Sequence, residues 1–193
     1  MPRTNRSAKK GMLQTTIDTQ KDTLRMAAML HDIGKLAIPN LIRSKPGKLS
    51  AEEYEAIKQH TIKGAQLLIK YGQSEIEKAA AQIALTHHEN WDGSGYPGHV
   101  DLEAGQILSG HGNAQGKPFG KKGEEIPVFG RVVAVADVYD ALMSFRVYRE
   151  AWKETDVLKE LKKRAGTKFD PEMIEAFFAR LETIHAIAKR YPD

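Results

Sequence analysis

The chain is 193 residues long, with 41% apolar and 28% charged residues, a formal charge of +4 and no cysteine. That length buries one hydrophobic core without staples, and the missing cysteines exclude both a disulfide framework and any thiolate metal site. No apolar run approaches the roughly 18 residues of a membrane span, the basic start of the chain lacks the apolar stretch of a secretory signal, and the mild charge favours an anionic ligand without the dense basic stripe of a DNA- or RNA-binding protein.

Residues 1–15 read as a tail or linker, with a single domain over 16–193. Ile17, Leu24, Ala27, Ala28 and Leu30 recur at helical spacing, and Gly34 is placed to end that helix. Ser50 with Glu53 forms a capping-box pattern that opens a helix through about Tyr71; Ser74 with Glu77 opens another through His87 or His88. Residues 98–125 hold seven glycines and no apolar period, which marks a long loop of the kind used as a lid or binding loop. Pro127 suits a first helical position leading to about Met143, Thr155 suits a cap for a short helix that Gly166 ends, and Asp170-Pro171 begins a last helix carrying Ile174, Phe177, Phe178, Leu181 and Ile184 on one face. No stretch alternates with period two. The reading is an all-α bundle of five to seven helices.

Polar residues fall on the faces that should be apolar. His60 aligns with Ile57, Gly64, Leu67 and Leu68; His87 aligns with Ala80 and Ile83; Asp137 and Asp140 sit among Val132, Val133, Val135, Val138, Ala141 and Leu142; His31-Asp32 ends the first amphipathic run. A single histidine in such a place is most often a satisfied core residue. Four segments each delivering His or Asp inward is different, because a buried carboxylate needs a cation or strong donors, and imidazole with carboxylate is a ligand set for divalent transition metals. Adjacent helical side chains diverge by about 100°. The pairs His31-Asp32 and His87-His88 can therefore share one centre only where a helix ends.

These residues carry a resemblance. His31-Asp32-Ile33-Gly34-Lys35, His60-Thr61 with Gly64, the block from His87 through Tyr96-Pro97, and Arg131–Asp137 followed by Tyr139-Asp140-Ala141-Leu142 resemble, in this order, the signature of HD-GYP domains of the HD phosphohydrolase superfamily. The resemblance implies an HD-type helical bundle and a cytoplasmic signalling phosphodiesterase acting on cyclic di-GMP, with cyclic GMP-AMP as an alternative substrate and a degenerate nucleotide-binding module as an alternative role. It implies two or three divalent ions, iron or manganese in preference to nickel or zinc. His31, Asp32, His60, His87, His88 and Asp137 would be ligands, Asp32 bridging. Lys35 would act beside Asp32 in catalysis, and Gly93, Gly95, Tyr96, Pro97, Arg146 and Arg149 would hold the nucleotide. Upstream sensory or receiver domains and a GGDEF-type protein would be its partners.

Two departures from the pattern stand out. The family carries a further His, with a nearby Glu in three-metal forms, about thirty residues before the His-Asp pair; here no His or Glu precedes His31. The expectation is a chain that lacks the family's first helix, binds fewer metals, or completes the site with water or a partner subunit. The link over residues 98–125 is also longer than the family's, so an insertion is expected there.

Overall fold

The computed structural model describes the backbone of residues 4–72, 74–144 and 151–191, and side-chain surroundings from residue 14 onward. Its α-helices are α1 (Thr4–Ala28), α2 (Asn40–Arg43), α3 (Ala51–Lys58), α4 (His60–Tyr71), α5 (Glu75–Thr86), α6 (Val128–Met143), α7 (Glu154–Lys163), α8 (Pro171–Ala179) and α9 (Leu181–Arg190), with 3₁₀ turns at Ile33–Ala37 and Gly123–Glu125. Isolated bridges such as Val100 to Ile107 and Gly112 to Pro118 are the only β pairing among the described residues. The class is all-α, as the periodicity indicates. Residues 4–15, read as a tail, belong to α1. Among the described residues no helix is long and apolar enough to cross a membrane.

Both capping boxes form, with reciprocal bonds between Ser50 and Glu53 and between Ser74 and Glu77. The helix expected from 51 to 71 nevertheless breaks at Gln59. The carbonyls orphaned at the end of α3 are taken by side chains: His60 Nδ1 meets Ile57 O at 2.7 Å, and Thr61 Oγ1 donates to Lys58 O at 2.9 Å. That break aims His60 inward. The last expected helix also divides, at Arg180, and α9 turns so that His185 meets Glu154 at 2.6 Å. Thr155 lies inside α7 rather than capping it, since Lys153 is the N-cap and the acidic Glu154 and Asp156 favour the helix dipole instead. Pro127 is the N-cap of α6, one position earlier than expected, while Pro171 does take a first-turn position after the capping Asp170.

Gly34 does not end α1. It sits in the 3₁₀ turn, buried, where an added Cβ would lie 1.9 Å from the carbonyl oxygen of His60. Only glycine lets the chain after Asp32 cross the first turn of α4 backbone to backbone. Gly130 does the same for α6 against α5, its Cβ position lying 2.2 Å from Thr86 Oγ1. Asp137, two turns further along α6, faces the same side.

Two apolar clusters flank this crossing. Ala27, Ala79, Ala80, Ile83 and Val133 join α1, α5 and α6. Val135, Leu142, Val157, Leu161, Phe169 and Ile174 join α6, α7 and α8. Full burial of such side chains contributes about 1.5–3 kcal/mol each, so α6 is fixed on both sides and the polar residues between are held by their neighbours.

Candidate metal centre

Three segments meet at one point. Asp32, His60, His87 and His88 each bring a ligand atom within 4.8 Å of the others. Asp32 comes from the end of the chain leaving α1, His60 opens α4, and His87 closes α5 as its C-cap, with its N–H still bonded to Ile83 O. His88 lies just past the helix end, where the chain unwinds. The adjacent histidines therefore both reach the centre, their ring centroids 4.0 Å apart.

The hydrogen bonds orient the rings. Nδ1 of His31 donates to Ala28 O at 2.8 Å, that of His60 to Ile57 O, and that of His87 lies 3.0 Å from Ile83 O and 3.1 Å from Ala84 O. A carbonyl only accepts, so Nδ1 carries the hydrogen in all three and Nε2 points inward. His60 Nε2 then lies 3.4 Å from His87 Nε2 and 3.4 Å from Asp32 Oδ1, and His87 Nε2 lies 3.8 Å from the same oxygen. Burial keeps both rings neutral, lowering His60 and pushing His87 down to about 4. Three lone pairs thus converge, and Asp32 Oδ1 is buried with no hydrogen-bond partner. A cation would reconcile them. Imidazole nitrogens and a carboxylate oxygen with main-chain bonds behind them fit a divalent transition ion.

The second oxygen of Asp32 faces a different set. Oδ2 receives Lys35 Nζ at 2.5 Å and lies 3.2 Å from His31 Nε2, which is 3.9 Å from Asp137 Oδ1. Burial alone would raise Asp32, but the hydrogen bonds of His31 and Lys35 overcome it and hold the carboxyl well below the usual range. The hydrogen bond to Asp32 raises His31, whose Nε2 lies between two carboxylates. His31 and Asp137 therefore stand beside Asp32 on its far side, outside the four-residue group.

A model of the HD domain matches residues 3–109 and 106–173. This chain is an HD-GYP domain. The HD-GYP chain is 40% identical over 176 residues to a cyclic di-GMP phosphodiesterase of Vibrio cholerae, covering 89% of this chain and 32% of that protein. It is 39% identical over 170 residues to a cyclic di-GMP phosphodiesterase of Thermotoga maritima (88% and 40%), and 34% identical over 176 residues to a 3'3'-cGAMP-specific phosphodiesterase of V. cholerae (91% and 30%). The chain thus spans about a third of the length of these relatives. The crystal structure of a cyclic GMP-AMP specific phosphodiesterase from V. cholerae shares its fold, with a TM-score of 0.54 at 20% identity, over 86% of this chain and 39% of that one.

In the HD-GYP turn the backbone is fixed closely. Gly95 leaves no room for a Cβ, which would fall 2.2 Å from Asn90 N; Gly93 has φ +86°; and Tyr96-Pro97 is cis. Tyr96 stacks on His88 at 4.9 Å, with Lys58 Nζ 5.3 Å from its ring, and burial raises its phenol so that it keeps its proton. Arg146 and Arg149 lie outside the described residues. Asp140 is exposed on an apolar groove of about 710 Å³ between α6, α8 and α9.

Sequence reasoning gave no role to Glu89. It is 2% exposed, and its carboxylate accepts from Gly98 N at 2.6 Å and Lys121 N at 3.1 Å, tying the HD-GYP turn to the end of the glycine-rich loop. Burial raises it to about 7, against the pull of those two bonds. Local sequence carries no signal for it: the helix end beside it leaves main-chain carbonyls open, and the donors that Glu89 meets come from Gly98 and Lys121. Lys168 and the buried ion pair of Arg131 with Asp170, at 2.6 Å, were also missed. They join residues 78 and 39 positions apart and leave no mark in local periodicity.

Proposed function

We propose that this domain hydrolyses a cyclic dinucleotide, cyclic di-GMP first, and that the orphaned Oδ1 of Asp32 facing two inward Nε2 atoms is the observation that carries the reading. His60, His87, His88 and Asp32 Oδ1 would hold one divalent ion, and His31, Asp137 and Asp32 Oδ2 a second, with Asp32 bridging. Iron or manganese suits that set. When bound, such ions supply Lewis-acid charge at a phosphate and lower the pKa of a water.

The chain's own residues do the rest. Lys35 holds positive charge against Asp32 at the edge of the centre, where it also meets a phosphate. Tyr96, Gly93, Gly95 and Pro97 shape a turn beside His88 against which a nucleoside packs, and Arg146 and Arg149 supply cations for the nucleotide. Water adds at phosphorus, the P–O3′ bond breaks, and the 3′ oxygen takes a proton. The product is a linear dinucleotide with a 5′ phosphate. The likeness to proteins named for cyclic di-GMP supports this substrate; the likeness to a 3'3'-cGAMP-specific phosphodiesterase supports cyclic GMP-AMP as the second reading. In the longer protein the domain would work in the cytoplasm under a sensory or receiver domain, with a GGDEF-type partner.

The test is turnover of both cyclic dinucleotides by manganese- or iron-loaded protein, followed by chromatography of products. Linear product that disappears with His87→Ala supports the reading; a loaded protein that turns over neither nucleotide refutes it.

A further inference from the structure

Lys168 is a cation that forms no ion pair among the described residues. Its side chain is half-buried. Among the described residues its ammonium meets no carboxylate within ion-pair distance: its hydrogen-bond partner is the neutral carbonyl of Asn90, with Oδ1 3.3 Å away. An ammonium has three donors, so two point elsewhere. The root of the side chain is fixed. Lys168 O accepts from Trp91 N at 3.1 Å and Thr167 O from Asp92 N at 2.9 Å, and the next residue, Phe169, is 1% exposed. Asn90 in turn donates to Ser94 Oγ at 2.9 Å. The ammonium is thereby held on the turn between His88 and Gly95, two residues from one candidate metal ligand. It therefore stands on the turn that follows His88, whereas Lys35 is already held by Asp32.

We propose that Lys168 binds a phosphate of the dinucleotide from this side, an assignment that rests on the hydrolase reading above. A cyclic dinucleotide carries two phosphates, and a site that engages only one leaves the other charge in a partly dry cleft. A rooted lysine with two open donors meets that need, whereas a purely structural lysine at this turn would serve Asn90 alone.

Lys168→Gln and Lys168→Arg are compared with the parent protein, all manganese-loaded, on cyclic di-GMP and on bis(p-nitrophenyl) phosphate, a diester with a single phosphate. Removal of one charge-assisted hydrogen bond raises KM for cyclic di-GMP about 10-fold or more in the Gln variant, with kcat little changed, and the Arg variant recovers most of the loss. KM for the small diester, metal content and thermal midpoint stay at the parent values. An unchanged KM for cyclic di-GMP, an equal rise on both substrates, or an Arg variant as impaired as the Gln variant overturns the assignment while leaving the hydrolase reading intact. Absence of turnover by the parent protein overturns both.

Discussion

Helix α6 borders two interiors of opposite character. Toward α7 and α8 it buries Val135 and Leu142 against Val157, Leu161, Phe169 and Ile174, all apolar and close-packed. Toward α4 and α5 it offers Asp137 to a space lined by imidazoles and the unpartnered oxygen of Asp32. The first interior is complete in itself, because dispersion and the hydrophobic effect need no further component. The second is an acceptor-rich cluster that a cation would close. One helix therefore ties a region indifferent to pH and metal to one governed by both.

The contrast breaks most visibly from the apolar side. Phe169→Ala should lower unfolding free energy by about 3–5 kcal/mol by denaturant titration, with metal content per folded molecule unchanged. Acid should act on the other interior. The His87 imidazole is ordinarily at 6.5 and is pushed by burial to about 4 in the fold. The unfolded chain thus takes up the proton first. In chelator-treated protein, stability should be full above about pH 6.5 and decline as pH falls toward 4, by on the order of 3 kcal/mol for this group alone. The Glu89 carboxyl, raised to about 7, contributes with the opposite sign over that window, so the profile is read in a Glu89→Gln background, where a flat line would show that His87 titrates as if exposed.

Asp32→Ala should weaken metal binding by roughly 100-fold or more, since loss of even an outer-shell partner of a ligand costs 10–100-fold. Calorimetric titration with manganese checks this, and unchanged affinity would remove Asp32 from the centre. The smallest effect belongs to a pair outside both interiors. Lys117→Ala breaks an exposed contact with Glu55 at 3.3 Å and should change stability by less than about 0.5 kcal/mol.

The sequence made much of this legible because helical periodicity exposes a polar residue on an apolar face wherever one occurs. His60 and His87 were visible in that way, and both are buried. What stayed hidden depends on approach between distant segments. Gly34 looked like a helix stop, yet it is the point where the chain after Asp32 touches α4, 26 positions on at His60. The break at Gln59 could not be read from apolar spacing, since the same spacing continues through it; it follows from the His60 and Thr61 side chains competing for main-chain carbonyls. Lys168 and Glu89 acquire meaning only through partners across the fold.

The glycine-rich stretch leaves and rejoins the domain through a narrow neck. His99 N bonds Phe119 O at 3.0 Å, and the Glu89 carboxylate clasps Gly98 and Lys121 beneath it. Chain ends already held this close place little demand on whatever spans them, because closure entropy changes only slowly with length. The segment above the neck is consequently a replaceable cassette: a reporter or a short turn grafted between His99 and Phe119 would inherit its anchoring from Glu89.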